Sequence, residues 1–156
     1  MISLDRRLLK RAFFRLVSVY PPYLGAGVRL THVAEDLLTM EVEMKLTPLN
    51  RNYVGTHFGG SLYSMCDPFF MLILMEALGE GFVVWDQEAT IRFKKPGRGK
   101  VRARFSVSPA EVESIRHDAI KHRKTSPVFR TKVTDEQGEV VAEIEKTLYV
   151  RQREAA

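Results

Sequence analysis

One stretch limits what this chain can fold into. From Phe58 to Leu78 it carries no charge before Asp67, and strand-like sequence flanks it on both sides. Leu62, Met65, Cys66, Phe69, Leu72 and Ile73 place apolar side chains around most of a helix drawn through it. A helix apolar on most sides has to be covered. The sequence therefore predicts a long central helix wrapped by a sheet. Its longest uninterrupted apolar run, Pro68 to Met75, is far shorter than the roughly 20 residues of a membrane span, so no membrane span is expected.

The polar exceptions in this stretch carry its chemistry. Gly60, Ser64 and Asp67 stand at i, i+4 and i+7, on one face of a continuous helix. Gly59 and Gly60 allow close approach to the backbone, and the free amides of a first turn attract anions and polarised carbonyl oxygens. A carboxylate amid so much apolar surface is costly unless paired, hydrogen-bonded or useful. A second reading is equally open. Asp67 followed by Pro68 makes a good helix start, with Asp67 as N-cap of a helix from Pro68 to Leu78 and Phe58 to Cys66 as a separate turn or short helix.

The rest of the chain reads as alternating elements. Ser3 is expected to cap a basic helix to about Tyr20, with Leu8, Leu9, Ala12, Phe13, Leu16 and Val17 packed on the body and Pro21-Pro22 ending it. Strands are expected over 27–33 and around Met40, Val42, Met44 and Leu46, with Pro48 and Asn50 opening the loop to the central stretch. After the stop at Gly79 and Gly81, a strand over 83–95 places Ala89, Ile91 and Phe93 on one face. A turn at Pro96-Gly97 leads to the strand of Val101, Ala103, Phe105 and Val107. Ser108, Pro109 and Glu111 begin a helix that ends near Lys121. A hairpin of 128–134 and 140–151 closes the chain through Asp135 to Gly138. Lys146 interrupts the apolar face of Val140, Ala142, Ile144, Leu148 and Val150, which a bulge or a twisted strand end explains. Six strands without a βαβ rhythm indicate an α+β domain, an antiparallel sheet with one face on the helix. Its edges need covering, so an oligomer is expected.

Composition supports one domain over residues 1–156: 45% hydrophobic and 28% charged residues are ordinary for a globular chain. The lone Cys66 fits a reducing, cytoplasmic setting and a packed thiol instead of a nucleophile. The net charge of +5 comes without a nucleic-acid motif. No cluster has metal-ligand spacing, and no metal or cofactor is expected.

Asn52, Gly55-Thr56, Phe58-Gly59-Gly60 and Asp67 together resemble the active-site segment of hotdog-fold acyl-CoA thioesterases of the phenylacetyl-CoA thioesterase type. The Asn-to-Asp separation of fifteen residues occurs in some members. Ile91 to Pro96 resembles the strand and turn after the helix. The resemblance implies a hotdog fold, here with an extra N-terminal helix, and thioester hydrolysis. Asp67 would activate water or attack the carbonyl, amides near Gly59 and Gly60 would stabilise the oxyanion, and Asn52 would orient carbonyl or water. Phe58 stands at the family's His position, with His57 one residue early as a ligand or acid candidate. Ser64 would face substrate, and Asp86 would position water or serve as a strand-end ion-pair residue. The implied partners are acyl-CoA or another acyl thioester and further copies of the chain, as homodimer or homotetramer, with acid and oxyanion donors from facing subunits. Arg92, Lys94, Lys95, Arg98 and Lys100 would meet nucleotide phosphates or form a solvated face. A non-catalytic binding or assembly protein is the alternative reading, and a dehydratase or hydratase is a weaker third.

Overall fold

The connection between two strands decides the architecture. The computed structural model describes residues 2–154. Strand β1 (Val28–Val33) pairs with β2 (Thr39–Lys45). Two helices then follow, α3 (Gly59–Ser64) and α4 (Phe69–Leu78), before β3 (Phe82–Phe93). In the sheet, β2 lies near one edge and β3 forms the other; the order is β1-β2-β4-β6-β7-β3. The helical segment therefore crosses beneath the whole sheet. The remaining strands are β4 (Lys100–Ser106), β5 (Lys124–Thr125), β6 (Val128–Thr134) and β7 (Val140–Gln152). All pairs are antiparallel, as expected, and the short β5 is a seventh strand that pairs with β7.

Alternation explains the sheet. Met40, Val42 and Met44 of β2, and Val101, Ala103 and Phe105 of β4, are buried, whereas the residues between them reach the outer face. Phe105 is the hub of the helix–sheet contact. Its ring lies 4.9 Å from Phe69 and 5.2 Å from Phe70, and Phe70 stacks on Phe129 at 4.9 Å. Gly59 to Leu78 is long and apolar enough by composition to cross a membrane. Here Leu62, Met65, Phe69, Phe70, Ile73, Leu74 and Leu78 are buried in the core beneath the sheet.

Helix α5 (Pro109–Lys121) starts as its sequence predicts. The Ser108 side chain accepts from the Glu111 amide, and Glu111 accepts from the Ser108 amide in return. These Ser108 hydrogen bonds hold the Glu111 carboxyl below the usual range.

The N-terminal region differs from expectation. Helix α1 (Ile2–Arg15) includes Ile2, so Ser3 sits inside its first turn, and the side chain expected to cap it lies outside the described residues. A 3-10 turn (Leu16–Val19) follows, and Pro21-Pro22 begin helix α2 (Pro21–Ala26) instead of only ending α1. Proline suits a first helical turn because its missing amide would be unpaired there anyway. The expected packing face meets the core only at Val17. Leu8, Leu9, Phe13 and Leu16 are exposed, while Phe14 is buried. The Arg11 Nε donates to the Val33 carbonyl at 3.1 Å, and Lys10 pairs with Glu76.

Phe105→Ala would remove the ring that joins those of Phe69 and Phe70. The expected loss is about 3–5 kcal/mol of unfolding free energy, read from denaturant titration. A loss below about 1 kcal/mol would contradict this core assignment.

Candidate functional site

The site forms where the central helix breaks. Pro68 has no amide to offer the Ser64 carbonyl four residues earlier, and its ring would collide with it. Helix α3 therefore ends at Ser64, and Cys66 and Asp67 close tight turns onto Tyr63 and Ser64. The Tyr23 hydroxyl donates to the Ser64 carbonyl at 3.1 Å, which satisfies the acceptor the break exposes. Gly60, Ser64 and Asp67 thus do not share one uninterrupted helical face. The separate-helix alternative describes the backbone, but its capping role for Asp67 is not realised. Pro68 holds the cap position of α4 without a side-chain cap bond.

The Asp67 carboxylate is engaged elsewhere. Its Oδ1 accepts from the Tyr63 hydroxyl at 2.8 Å and from the Lys146 Nζ at 3.0 Å. Among the described residues no donor is bonded to Oδ2. The side chain is 50% exposed. It lines a cavity of about 670 Å³ with Ser64, whose walls include Phe13, Leu16, Tyr20 and Leu72.

Lys146 was expected to mark a bulge or a strand end. Instead it lies in phase with Ile144 and Leu148, points inward, and its side chain is 0% exposed. The bulge is on the neighbouring strand, at Gln87, between the pairs Asp86–Leu148 and Glu88–Thr147. An isolated buried ammonium costs several kcal/mol in folding, so Lys146 needs close counter-charge. It has two carboxylates, Asp67 and Asp86, each at 3.0 Å. The Tyr63 oxygen lies 3.3 Å from Nζ. Burial works against the lysine's charge, but hydrogen bonds to Asp86 and Asp67 outweigh it and hold its pKa above the ordinary value. Burial pushes Asp86 up, partly offset by Lys146. It also raises Tyr63, with the hydrogen bond to Asp67 adding to the shift. Lys146 and Tyr63 were missed as site residues. A charge in phase with an apolar strand face, and a tyrosine four residues before Asp67, were the available signals.

The other half of the expected site lies apart from this cluster. The Asn52 side chain is committed to its own loop. Its Oδ1 accepts from the Val54 and Thr56 amides, and its Nδ2 donates to the Thr56 hydroxyl and the His57 carbonyl. Asn52, Thr56, His57, Gly59 and Leu62 line a second cavity of about 420 Å³ with Phe93 and Pro96. Within one chain, Asn52 and Asp67 therefore border different cavities. The openings expected beside the glycines are filled. A Cβ on Gly60 would meet the Phe58 ring at 2.4 Å, and one on Gly59 would meet Phe93 at 3.0 Å. The Gly59 and Gly60 amides have no acceptor among the described residues. His57 is buried, with Nε2 3.0 Å from the Gly99 carbonyl, and burial lowers its pKa. It ties the loop to the 97–99 turn. Three of the five basic residues expected at phosphates are paired internally: Lys94 with Glu143, Lys95 with Asp135 and Glu139, and Lys100 with Glu43. Among the described residues no His, Cys, Asp or Glu cluster suits a metal ion.

Residues 6–150 match the model of a family described as a domain of unknown function, DUF4442. No curated protein matches the chain by sequence. Solved structures do match in fold. A Pseudomonas aeruginosa protein described as of unknown function and a probable thioesterase is 22% identical, with a TM-score of 0.79 over 89% of this chain and 93% of that one. A Haemophilus influenzae thioesterase is 17% identical, with a TM-score of 0.64 over 89% and 88%. A mutant phenylacetic acid degradation protein of Thermus thermophilus is 22% identical, with a TM-score of 0.57 over 83% and 98%. The fold is the hotdog fold, with its antiparallel sheet around a central helical segment and an added N-terminal helix.

The buried groups give a signed pH expectation. Burial lifts the Cys66 thiol and the Tyr23 hydroxyl well above their ordinary 9.0 and 10.0, and its carboxylate partners lift Lys146 above 10.5. A raised folded pKa contributes fully below the unfolded value and is lost as pH rises through the folded one. Thermal stability is expected to hold up to about pH 8.5 and to fall between about pH 9 and 11, with Cys66→Ala removing the earliest part of the fall. A flat profile to pH 11 would contradict the burial.

Proposed function

The chain belongs to the DUF4442 family, and from that membership and its hotdog fold we propose that it hydrolyses acyl thioesters, acyl-CoA foremost. One observation carries the reading. Asp67 is a carboxylate that lines an apolar cavity, held through one oxygen by Tyr63 and Lys146, with no donor on its other oxygen among the described residues. The thioesterases among the structural neighbours support the same chemistry.

In this reading the apolar cavity receives the acyl group. Asp67 takes a proton from water as it adds to the thioester carbonyl, or attacks that carbon itself. Amides of Gly59 and Gly60 stabilise the negative oxygen. The carbon–sulfur bond then breaks: on the water route the sulfur takes the proton Asp67 removed and leaves as thiol, and on the direct route thiolate leaves a mixed anhydride that water hydrolyses to the free acid and Asp67. Since one chain keeps Asp67 and the glycine amides at different cavities, the complete site takes them from two copies. Strand β3 supports such an assembly. It is a sheet edge paired only with β7, and its Phe93 and Trp85 are exposed. A homodimer or homotetramer is expected by light scattering at micromolar concentration, and a monomer throughout that range would defeat the shared site.

A second reading rests on the rings of Phe58 and Phe93, which cover Gly60 and Gly59. They favour a protein that binds acyl thioesters without cleaving them. Release of free thiol from an acyl-CoA panel separates the two. For the hydrolase, Asp67→Asn should lower kcat by about 100-fold or more. It should leave the melting temperature close to native, because Asp86 still compensates Lys146. Native hydrolysis by Asp67→Asn would remove Asp67 from the mechanism.

A further inference from the structure

We propose that Lys146 and Tyr63 are positioning residues that fix Oδ1 of Asp67 and so select Oδ2 as its reacting oxygen, with Asp86 as the fixed counter-charge of Lys146. The inference rests on the thioester-hydrolase reading of Asp67.

Four observations carry it. First, both donors converge on one oxygen. Tyr63 reaches Oδ1 from α3 at 2.8 Å, and Lys146 reaches the same atom from β7 at 3.0 Å. Two donors on one carboxylate oxygen fix the rotation of the group and leave the other oxygen turned away from them. Second, the position of Lys146 is poorly explained by stability. It lies between Ile144 and Leu148, fully buried, where an unbranched apolar side chain would fill the space without desolvating a charge. Third, Asp86 is unsuited to act on substrate itself. Its Oδ2 is held by Lys146, and its Oδ1 is buried without a partner among the described residues. Fourth, the charges leave one to use. Two carboxylates and one ammonium sum to a single negative charge, and only Asp67 meets the cavity.

The ionisable groups around Asp67 come from every element packed there: Tyr63 of α3, Tyr23 of α2, Asp86 of β3, Lys146 of β7 and the adjacent Cys66. Among them only Lys146 is positive at neutral pH. Without it, an ionised Asp67 keeps the Tyr63 hydrogen bond but meets the repulsion of Asp86 unopposed, so the acid limb of the pH–rate profile should move to higher pH.

The full-length protein tests this with Lys146→Met, the double variant Lys146→Met/Asp86→Asn, and Tyr63→Phe. Thermal unfolding and the pH dependence of kcat/KM on the best acyl-CoA are measured for each. Lys146→Met alone should melt lower, because it strands two carboxylates. The double variant removes the buried pair together and should recover much of the native melting temperature. Its kcat should nevertheless stay down by about tenfold or more. The acid limb of Lys146→Met should rise by about one pH unit or more. Tyr63→Phe, which leaves both carboxylate partners of Lys146 in place, should lose about threefold to tenfold in kcat with little change in KM. A double variant with native stability, native kcat and a native acid limb would make the cluster purely structural and overturn the inference. If the double variant does not fold, a native rate and pH profile for Tyr63→Phe overturns it instead. An unmodified protein that cleaves no acyl thioester defeats the hydrolase reading and this one together. That outcome is distinct from an active protein with indifferent variants.

Discussion

An apolar helical segment that joins strands at opposite ends of a sheet has one low-cost place to go, and that is across the sheet's face. The covering strands bury its side chains on one side, and the ring of Phe105 meets those of Phe69 and Phe70 at the crossing. The same path forces a break. Pro68 interrupts the helix where it turns from one cavity toward the next, and the freed Ser64 carbonyl takes the Tyr23 hydroxyl. The break in turn delivers Asp67 to the one fully buried lysine. Packing, backbone chemistry and electrostatics therefore depend on a single crossing.

The buried lysine explains why the site is held as it is. A lone charge in this core would be expelled or neutralised, so Lys146 needs close counter-charge, which Asp67 and Asp86 both supply. The requirement runs both ways, since Asp67 gains a rigid partner that does not depend on solvent. Three sequence-distant elements are thereby tied at one nitrogen: the helix break, β3 and β7.

Much of this was legible in the sequence because it follows from local rules. Alternation marked β2 and β4, and the Ser108–Glu111 box marked the start of α5. The hotdog arrangement followed from the central segment and its resemblance. The failures share a different cause. Pro21-Pro22 ends one helix and opens another with the same local chemistry. The stripe of Leu8, Leu9, Phe13 and Leu16 is amphipathic, but periodicity alone does not say which side the body contacts. Lys146 read as a defect in an apolar face because its counter-charges lie some eighty and sixty residues earlier in the chain. Asn52 and Asp67 have the separation of the resembled segment, yet spacing along a chain does not ensure a shared cavity when the helix ends at Ser64, before Asp67 is reached.

The extra residue at Gln87 lets β3 keep two side-chain frames at once. Before it, even-numbered residues such as Val84 and Asp86 turn inward, opposite Val150 and Leu148. Beyond it, odd-numbered residues take over, with Ala89 opposite Lys146 and Ile91 opposite Ile144. The strand thus works like a text with one inserted letter, correctly read on both sides only because the insertion is there. Deleting it would send either the Asp86 carboxylate or the Ala89–Ile91–Phe93 face to the wrong side of the sheet. Length at this point is consequently as constrained as residue identity, whereas point changes at Gln87 itself leave the frame intact.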